Sequence, residues 1–204
     1  MKEITLTIDG KKVQAQEGDT ILKAATQEGI IIPTLCDEER LKPYGSCRLC
    51  MVEIEKNGRK KLVASCCYLA EDGLIVQTKT EKVDKIRRMI VELLLPISPN
   101  GSHTTLAKQY GIKKSRFTIK ENEETPCDLC GLCVRYCAEI KKQHAVCFVG
   151  RGVHRSVALV PGVSKICASC RECLTLCDAG KMVYLVDNVQ EISCPPLKSI
   201  INQK

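Results

Sequence analysis

The chain has no tryptophan, two phenylalanines and five tyrosines in 204 residues. Single-stranded nucleic acid is held largely on aromatic stacking platforms, so this scarcity argues against a nucleic-acid binder. The net charge of +7 does not reverse that conclusion. The basic clusters Arg59-Lys60-Lys61, Arg87-Arg88 and Lys113-Lys114 each read first as solvated faces, and second as patches that steer an acidic partner. No run approaches the ~18 apolar residues that a spanning helix needs, so no membrane insertion is expected. Neither a G-x-G-x-x-G turn nor a phosphate-binding G-x-x-x-x-G-K-[ST] loop occurs, which leaves the chain without a nucleotide cradle of its own. Met1 to Ile8 alternates as a strand does and lacks the apolar core of a signal peptide, so a cytoplasmic location with reduced thiols is expected.

Cysteine, by contrast, is abundant. There are fifteen, and an odd number fits poorly with a closed disulfide framework. Eight of them form two runs of the pattern C-x2-C-x2-C-x3-C, at Cys127, Cys130, Cys133, Cys137 and at Cys167, Cys170, Cys173, Cys177. The second run repeats the first at a constant displacement. Zinc sites favour two isolated C-x2-C pairs, whereas here no pair stands apart. Three thiols at x2 spacing wrap one loop around three corners of a cubane, and the fourth thiol of each run serves the other cluster. The expected sets are therefore Cys127, Cys130, Cys133 and Cys177 for one [4Fe–4S] cluster, and Cys137, Cys167, Cys170 and Cys173 for a second.

Upstream, Ile4, Leu6 and Ile8 alternate with polar residues, and Asp9-Gly10 signals a hairpin to a strand through Val13 and Ala15. Gly18-Asp19-Thr20 offers a cap for a helix bearing Ile21, Leu22, Ala24 and Ala25, which Gly29 ends. An extended Ile30–Pro33 segment then leads to Cys36. Hairpin, helix and cysteine loop, in that order, predict a β-grasp ferredoxin. Its thiols are Cys36, Cys47, Cys50 and Cys66, with the x2 pair and remote fourth ligand of a [2Fe–2S] site but a longer first gap. Cys66 and Cys67 compete for the fourth position. Cys66 follows the strand in register, and Cys67 is expected to be a small buried hydrophobe. Gly45 and Ser46 are expected to let the loop backbone approach the inorganic sulfides and aim N–H donors at them.

A second hairpin is expected around Asn57-Gly58, then a closing strand through Leu74, Val76 and Thr78. A helix is expected from about Glu81 with Val83, Ile86, Ile90, Leu93 and Leu94 on its apolar face, ending before Pro96. Residues 96–103 read as a loop, Leu106 to Tyr110 as a short helix, and Phe117 to Ile119 as extended. Short strands are expected over Ala145 to Val149 and Val157 to Val160, and another over Met182 to Val186. The fold class is thus α+β: a β-grasp [2Fe–2S] domain (1–80), a helical linker (81–120), a two-cluster [4Fe–4S] ferredoxin-like domain (121–186) and a polar tail (187–204). Cys147 reads as strand packing, and Cys194 as a surface thiol in the tail.

Six stretches carry a family resemblance: Gly18 to Ala25, Gly45 to Cys50, Ala64 to Cys66, Cys127 to Cys137, Phe148 to Gly152, and Cys167 to Cys177. The chain resembles the N-terminal part of the large iron–sulfur subunit of respiratory complex I. It is similar also to the N-terminus of iron-only hydrogenases and to the small diaphorase subunit of NAD-reducing hydrogenases. The resemblance implies an electron-transfer subunit with one [2Fe–2S] and two [4Fe–4S] clusters. It would relay electrons between a flavin- and NAD(H)-binding diaphorase subunit and a catalytic subunit. The implied assembly is an NAD-linked hydrogenase, electron-bifurcating in one variant with ferredoxin as a further partner. An NAD-dependent formate dehydrogenase or a stand-alone polyferredoxin are the alternatives. Members of these families usually carry a further cluster ligated by one histidine and three cysteines. Residues 95–112 hold His103 and no cysteine, so that cluster is expected to be absent and His103 to lie in a surface loop. No catalytic site of the chain's own, and no hydrogen-activating or molybdopterin-type domain after the second run, is expected.

Overall fold

The computed structural model describes residues 2–97, 103–117 and 127–188. The chain divides into two compact units, Met1–Asn122 and Glu123–Lys204. The expectations for residues 118–119 and for Cys194 lie outside the described residues, as do most of the 96–103 loop and nearly all of the 187–204 tail. Among the described residues, no helix is long and apolar enough to cross a membrane.

In the first unit, β1 (Glu3–Ile8) and β2 (Lys11–Gln16) form the first hairpin, with Ile4, Leu6 and Ile8 turned inward. The Thr20 hydroxyl accepts from the Lys23 amide at the start of α1 (Ile21–Gln27) and answers one of the amides that a helix start leaves unpaired. β3 (Met51–Lys56) and β4 (Arg59–Ala64) pair around Asn57-Gly58, both with positive φ as a two-residue hairpin turn of matching twist requires. β5 (Ile75–Gln77) lies between β1 and β3, so the sheet runs β2-β1-β5-β3-β4, with β1 and β5 parallel and the other pairs antiparallel. One sheet face and the Ile21, Leu22, Ala24 and Ala25 side of α1 share a core that also takes in Cys50 and Cys66.

α2 (Glu81–Leu94) begins at Thr80, which caps the Val83 amide. Its buried stripe differs from the expected one. Val83, Arg87 and Val91 are buried, whereas Ile86 and Ile90 are half-buried and Leu93 is 44% exposed. Residues four apart share a helix face, and here the stripe that meets β3 and the cysteine loop includes an arginine. The expectation that Arg87 belongs to a solvated cluster is therefore corrected, while Arg88 is exposed. α3 (His103–Gln109) packs on α2 and opens with His103, only 1% exposed, which corrects the surface-loop expectation for that residue.

The second unit holds α4 (Leu132–Arg135), running into a π-helical turn over Tyr136–Ile140, then the hairpin of β6 (Val146–Val149) and β7 (Ser156–Leu159). α5 (Ser164–Cys170), a 3-10 turn over Glu172–Leu176 and α6 (Lys181–Asp187) follow. The expected strand over Met182–Val186 is helical. Met182 and Val186, four apart, enter the core while Val183 stays 42% exposed, and that spacing of burial belongs to a helix. Cys147, expected to be buried, is half-buried on β6.

Candidate metal centres

The twelve cysteines singled out by spacing all lie among the described residues, and the local backbone explains where each stands. In the first unit, Cys36 lies on the loop after α1, Cys47 and Cys50 lead into β3, and Cys66 follows β4. Cys36, Cys50 and Cys66 are each at most 2% exposed, and Cys47 is half-buried. They stand as two pairs. The Cys47 amide donates to the Cys36 sulfur at 3.3 Å, and the Cys47 thiol hydrogen-bonds to the same sulfur. The sulfurs of Cys50 and Cys66 are 3.3 Å apart. Within each pair the contact makes one thiol easier to ionise and the other harder. Cys36 is lowered to about 6 chiefly by its hydrogen bond with Cys47, and Cys50 to about 6 chiefly by its hydrogen bond with Cys66, with Cys47 and Cys66 pushed up in return. Two thiolates on one tetrahedral metal with metal–sulfur bonds of about 2.3 Å stand about 3.7 Å apart, so two such pairs suit the two irons of a binuclear cluster.

Cys67 is exposed, with its sulfur 3.6 Å from that of Cys66, so the buried-packing expectation for it is overturned. It faces outward because the chain turns at the end of β4, the Cys67 and Tyr68 amides both donating to the Ala64 carbonyl. Gly45, with φ of +66°, sits against the Cys67 sulfur, where an added Cβ would lie only 2.7 Å away. Glycine is thus demanded there by a cysteine side chain as well as by backbone angle. Backbone donors reach the cysteine sulfurs here, from Ser46 and Cys47 to Cys36 and from Leu49 to Cys47.

The second unit holds the other two expected sets. Between its second and third thiols, each C-x2-C-x2-C run turns through a left-handed residue at the equivalent position, Gly131 (φ +78°) in the first and Arg171 (φ +51°) in the second. Burial raises the Cys127, Cys130 and Cys133 thiols, Cys130 to about 11, and the charge of Cys177 adds to the effect on all three. Cys167 and Cys173 are raised likewise, Cys173 to about 12, with Cys137 the leading charge after burial. Cys133 also feels Cys173 of the other group. Cys137, Cys167, Cys170 and Cys173 line one cavity with Tyr136 and Val146. Cys137, the fourth thiol of the first run, thus lines a cavity with the first three of the second run, and the charge of Cys177 reaches the first three of the first. Amides point at these sulfurs too, Ala145 to Cys137 at 3.1 Å and Met182 to Cys177 at 3.4 Å. Among the described residues no three His, Cys, Asp or Glu side chains converge as ligands of a single ion would. The thiols stand in pairs and around a cavity.

Sequence reasoning missed Arg87. Its guanidinium donates from Nε to the Leu49 carbonyl at 3.0 Å and from Nη2 to the Met51 carbonyl at 2.7 Å, the two carbonyls that flank Cys50. The signal was present in the sequence as the spacing Val83, Arg87, Val91, which places the arginine in a helical stripe between two apolar residues.

A family model described as a 2Fe-2S iron-sulfur cluster binding domain matches residues 1–81. An NADH-quinone oxidoreductase subunit of Rhizobium meliloti is 32% identical over 205 residues, which cover 88% of this chain and 24% of the relative. The NADPH-Fe(3+) oxidoreductase subunit alpha of Geobacter sulfurreducens is 34% identical over 203 residues, 88% of this chain and 24% of the relative. NADP-reducing hydrogenase subunit HndD of Solidesulfovibrio fructosivorans is 30% identical over 233 residues, 96% of this chain and 39% of the relative. The chain thus spans about a quarter of the length of the first two. Among solved structures, a chain in the crystal structure of NAD+-reducing [NiFe]-hydrogenase in the H2-reduced state superposes with a TM-score of 0.68 at 31% identity, over 78% of this chain and 76% of that one.

Proposed function

Since the chain belongs to the family of iron–sulfur proteins that open with a 2Fe-2S iron-sulfur cluster binding domain and include subunits of NAD(P)-linked oxidoreductases and hydrogenases, we propose that it is an electron-transfer subunit holding three clusters. In this reading Cys36, Cys47, Cys50 and Cys66 hold a [2Fe–2S] cluster. Cys127, Cys130, Cys133 and Cys177 hold one [4Fe–4S] cluster, and Cys137, Cys167, Cys170 and Cys173 a second. The observation that carries the reading is the approach of Cys47 to Cys36 and of Cys50 to Cys66, together with the cavity lined by Cys137, Cys167, Cys170 and Cys173, with backbone N–H donors aimed at Cys36, Cys137 and Cys177.

One-electron carriage is the chemistry that such clusters supply when bound. The protein's part is to ligate, to bury and to set potential. The Ser46, Cys47, Leu49, Ala145 and Met182 amides aim partial positive charge at the sulfurs, which favours the more negative, reduced form. Burial of Cys50, Cys66 and Cys133 keeps water from the ligands. The thiols lose their protons on binding iron, so loading is coupled to proton release.

The proposed partners are a flavin- and NAD(H)-binding diaphorase subunit that delivers or accepts electrons, and a hydrogenase or other catalytic subunit at the far end, in a cytoplasmic complex. The likeness to the NAD+-reducing [NiFe]-hydrogenase chain and to HndD supports a hydrogenase assembly over formate dehydrogenase. Bifurcation, with ferredoxin as a third partner, is the specialised form of the same reading. Iron and acid-labile sulfide per chain, measured on anaerobically purified protein with EPR of the reduced sample, test the proposal. It requires about ten irons and a rhombic [2Fe–2S] signal beside coupled cubane signals. Zinc in place of iron would overturn it.

A further inference from the structure

We propose that Arg87 is a positioning residue for the [2Fe–2S] cluster: it clamps the Cys50 segment and supplies a fixed positive charge beside the cluster. This rests on the [2Fe–2S] reading given above. A guanidinium that is 3% exposed is unusual, because taking a charge out of water costs several kcal/mol unless partners repay it. Among the described residues no ion pair includes Arg87. Its hydrogen-bond partners are two neutral carbonyls, Leu49 and Met51, at 3.0 and 2.7 Å. Carbonyl dipoles alone do not neutralise a buried cation. The structure offers a compensating group close by: Cys50 lies between the two carbonyls, itself 1% exposed and 3.3 Å from the Cys66 sulfur. Four thiolates and a binuclear core form a dianion when oxidised and a trianion when reduced. A buried arginine next to one ligand is balanced by that charge, and favours the reduced form by the same interaction.

The geometry suits arginine in particular. One planar fork reaches both carbonyls at once, which fixes the backbone on either side of the ligand. A lysine at the same position keeps the charge but has a single ammonium head in place of the fork. Charge and clamp can therefore be separated by substitution. The helix is also well placed to hold the fork still. Val83 and Val91, one turn to either side of Arg87, are fully buried, and the Thr80 cap secures the helix start.

The test uses the full chain, purified anaerobically, as the parent and as Arg87→Lys and Arg87→Gln. The midpoint potential of the rhombic [2Fe–2S] EPR signal is titrated, and the half-time of iron release to a chelator is followed. Arg87→Gln is expected to shift the reduced-to-oxidised equilibrium about tenfold toward the oxidised form, which is about 59 mV for one electron. Arg87→Lys is expected to titrate near the parent yet release iron severalfold faster. A purely structural arginine would leave the potential of both variants at the parent value, and that result overturns the charge role. If Arg87→Gln does not hold iron, Arg87→Lys still decides: parent-like iron release would overturn the clamp. Absence of any rhombic signal in the parent would instead refute the [2Fe–2S] reading itself.

Discussion

Replacing Gly45 with alanine perturbs the cysteine loop in two separable ways. The backbone there has φ of +66°, a left-handed conformation that costs an L-residue about 1–2 kcal/mol. The added Cβ would also lie 2.7 Å from the Cys67 sulfur, well inside contact distance. Relieving an overlap of that kind costs about 1–3 kcal/mol in packed proteins. The sum, about 2–5 kcal/mol, corresponds to a fall of roughly 8–20 °C in the melting midpoint at about 4 °C per kcal/mol for a unit of this size. Cys67→Ala removes only the second contribution, because the Cys67 Cβ is 3.9 Å away, an ordinary contact. A double-mutant cycle therefore predicts a coupling of about 1–3 kcal/mol between Gly45 and Cys67. The assay is thermal melting of the parent, both single variants and the double variant, scanned at one rate and read in the [2Fe–2S] visible absorbance. A coupling below about 0.5 kcal/mol, the ordinary limit of additivity, would refute the reasoning and assign the whole cost to backbone angle.

Three further outcomes are expected. Cys66→Ser abolishes the rhombic [2Fe–2S] EPR signal whereas Cys67→Ser leaves it, because Cys66 is buried against Cys50 and Cys67 faces outward; the reverse pattern would exchange their roles. Chelation of all iron should strip hydrogen-exchange protection from residues 127–188 before that of β1 to β5. Among the described residues the core of the second unit has eight buried residues, three of them cysteines, against nineteen in the first, and a core that small needs a metal staple; equal loss in both units would contradict this. Glu92 accepts from the Arg116 guanidinium and amide, which lowers its carboxyl to about 2. A depressed carboxyl stabilises the fold above its unfolded pKa of about 4.3, and that contribution fades as pH falls toward about 2. Carboxyl NMR titration should find Glu92 well below the other glutamates and should find it raised in Arg116→Gln; an unmoved titration would sink the assignment.

Both hairpins of the first unit were legible in the sequence because turn chemistry is local. Asp9-Gly10 and Asn57-Gly58 each carry positive φ at both turn residues, and the alternation of Ile4, Leu6 and Ile8 sets the register unaided. A helix cap within Gly18-Asp19-Thr20 was readable for the same reason, and the structure gives the role to Thr20. The closing strand was readable from Leu74, Val76 and Thr78, all buried. The α6 helix was not. Met-Val-Tyr-Leu-Val is rich in strand-favouring residues, and only the pocket that receives Met182 and Val186 selects the helical spacing.

The same division runs through the candidate sites. Cysteine spacing by itself proposed the three thiol groups, because C-x2-C steps constrain a loop whatever surrounds it, and the repeated run suggests an exchange of the fourth thiol. The buried face of α2 was beyond its reach. Apolar periodicity favoured Ile86, Ile90 and Leu93, yet the stripe that packs inward contains Arg87, because two carbonyls far away in sequence await its donors. Cys66 inside and Cys67 outside are neighbours of which strand register favoured the first as a ligand, but no pattern foretold that the second is exposed. Their difference arises where β4 ends against Cys50 and the Gly45 turn. Covalent spacing decides which ligands can share a loop, and tertiary packing decides which of them face inward and what charge stands behind them.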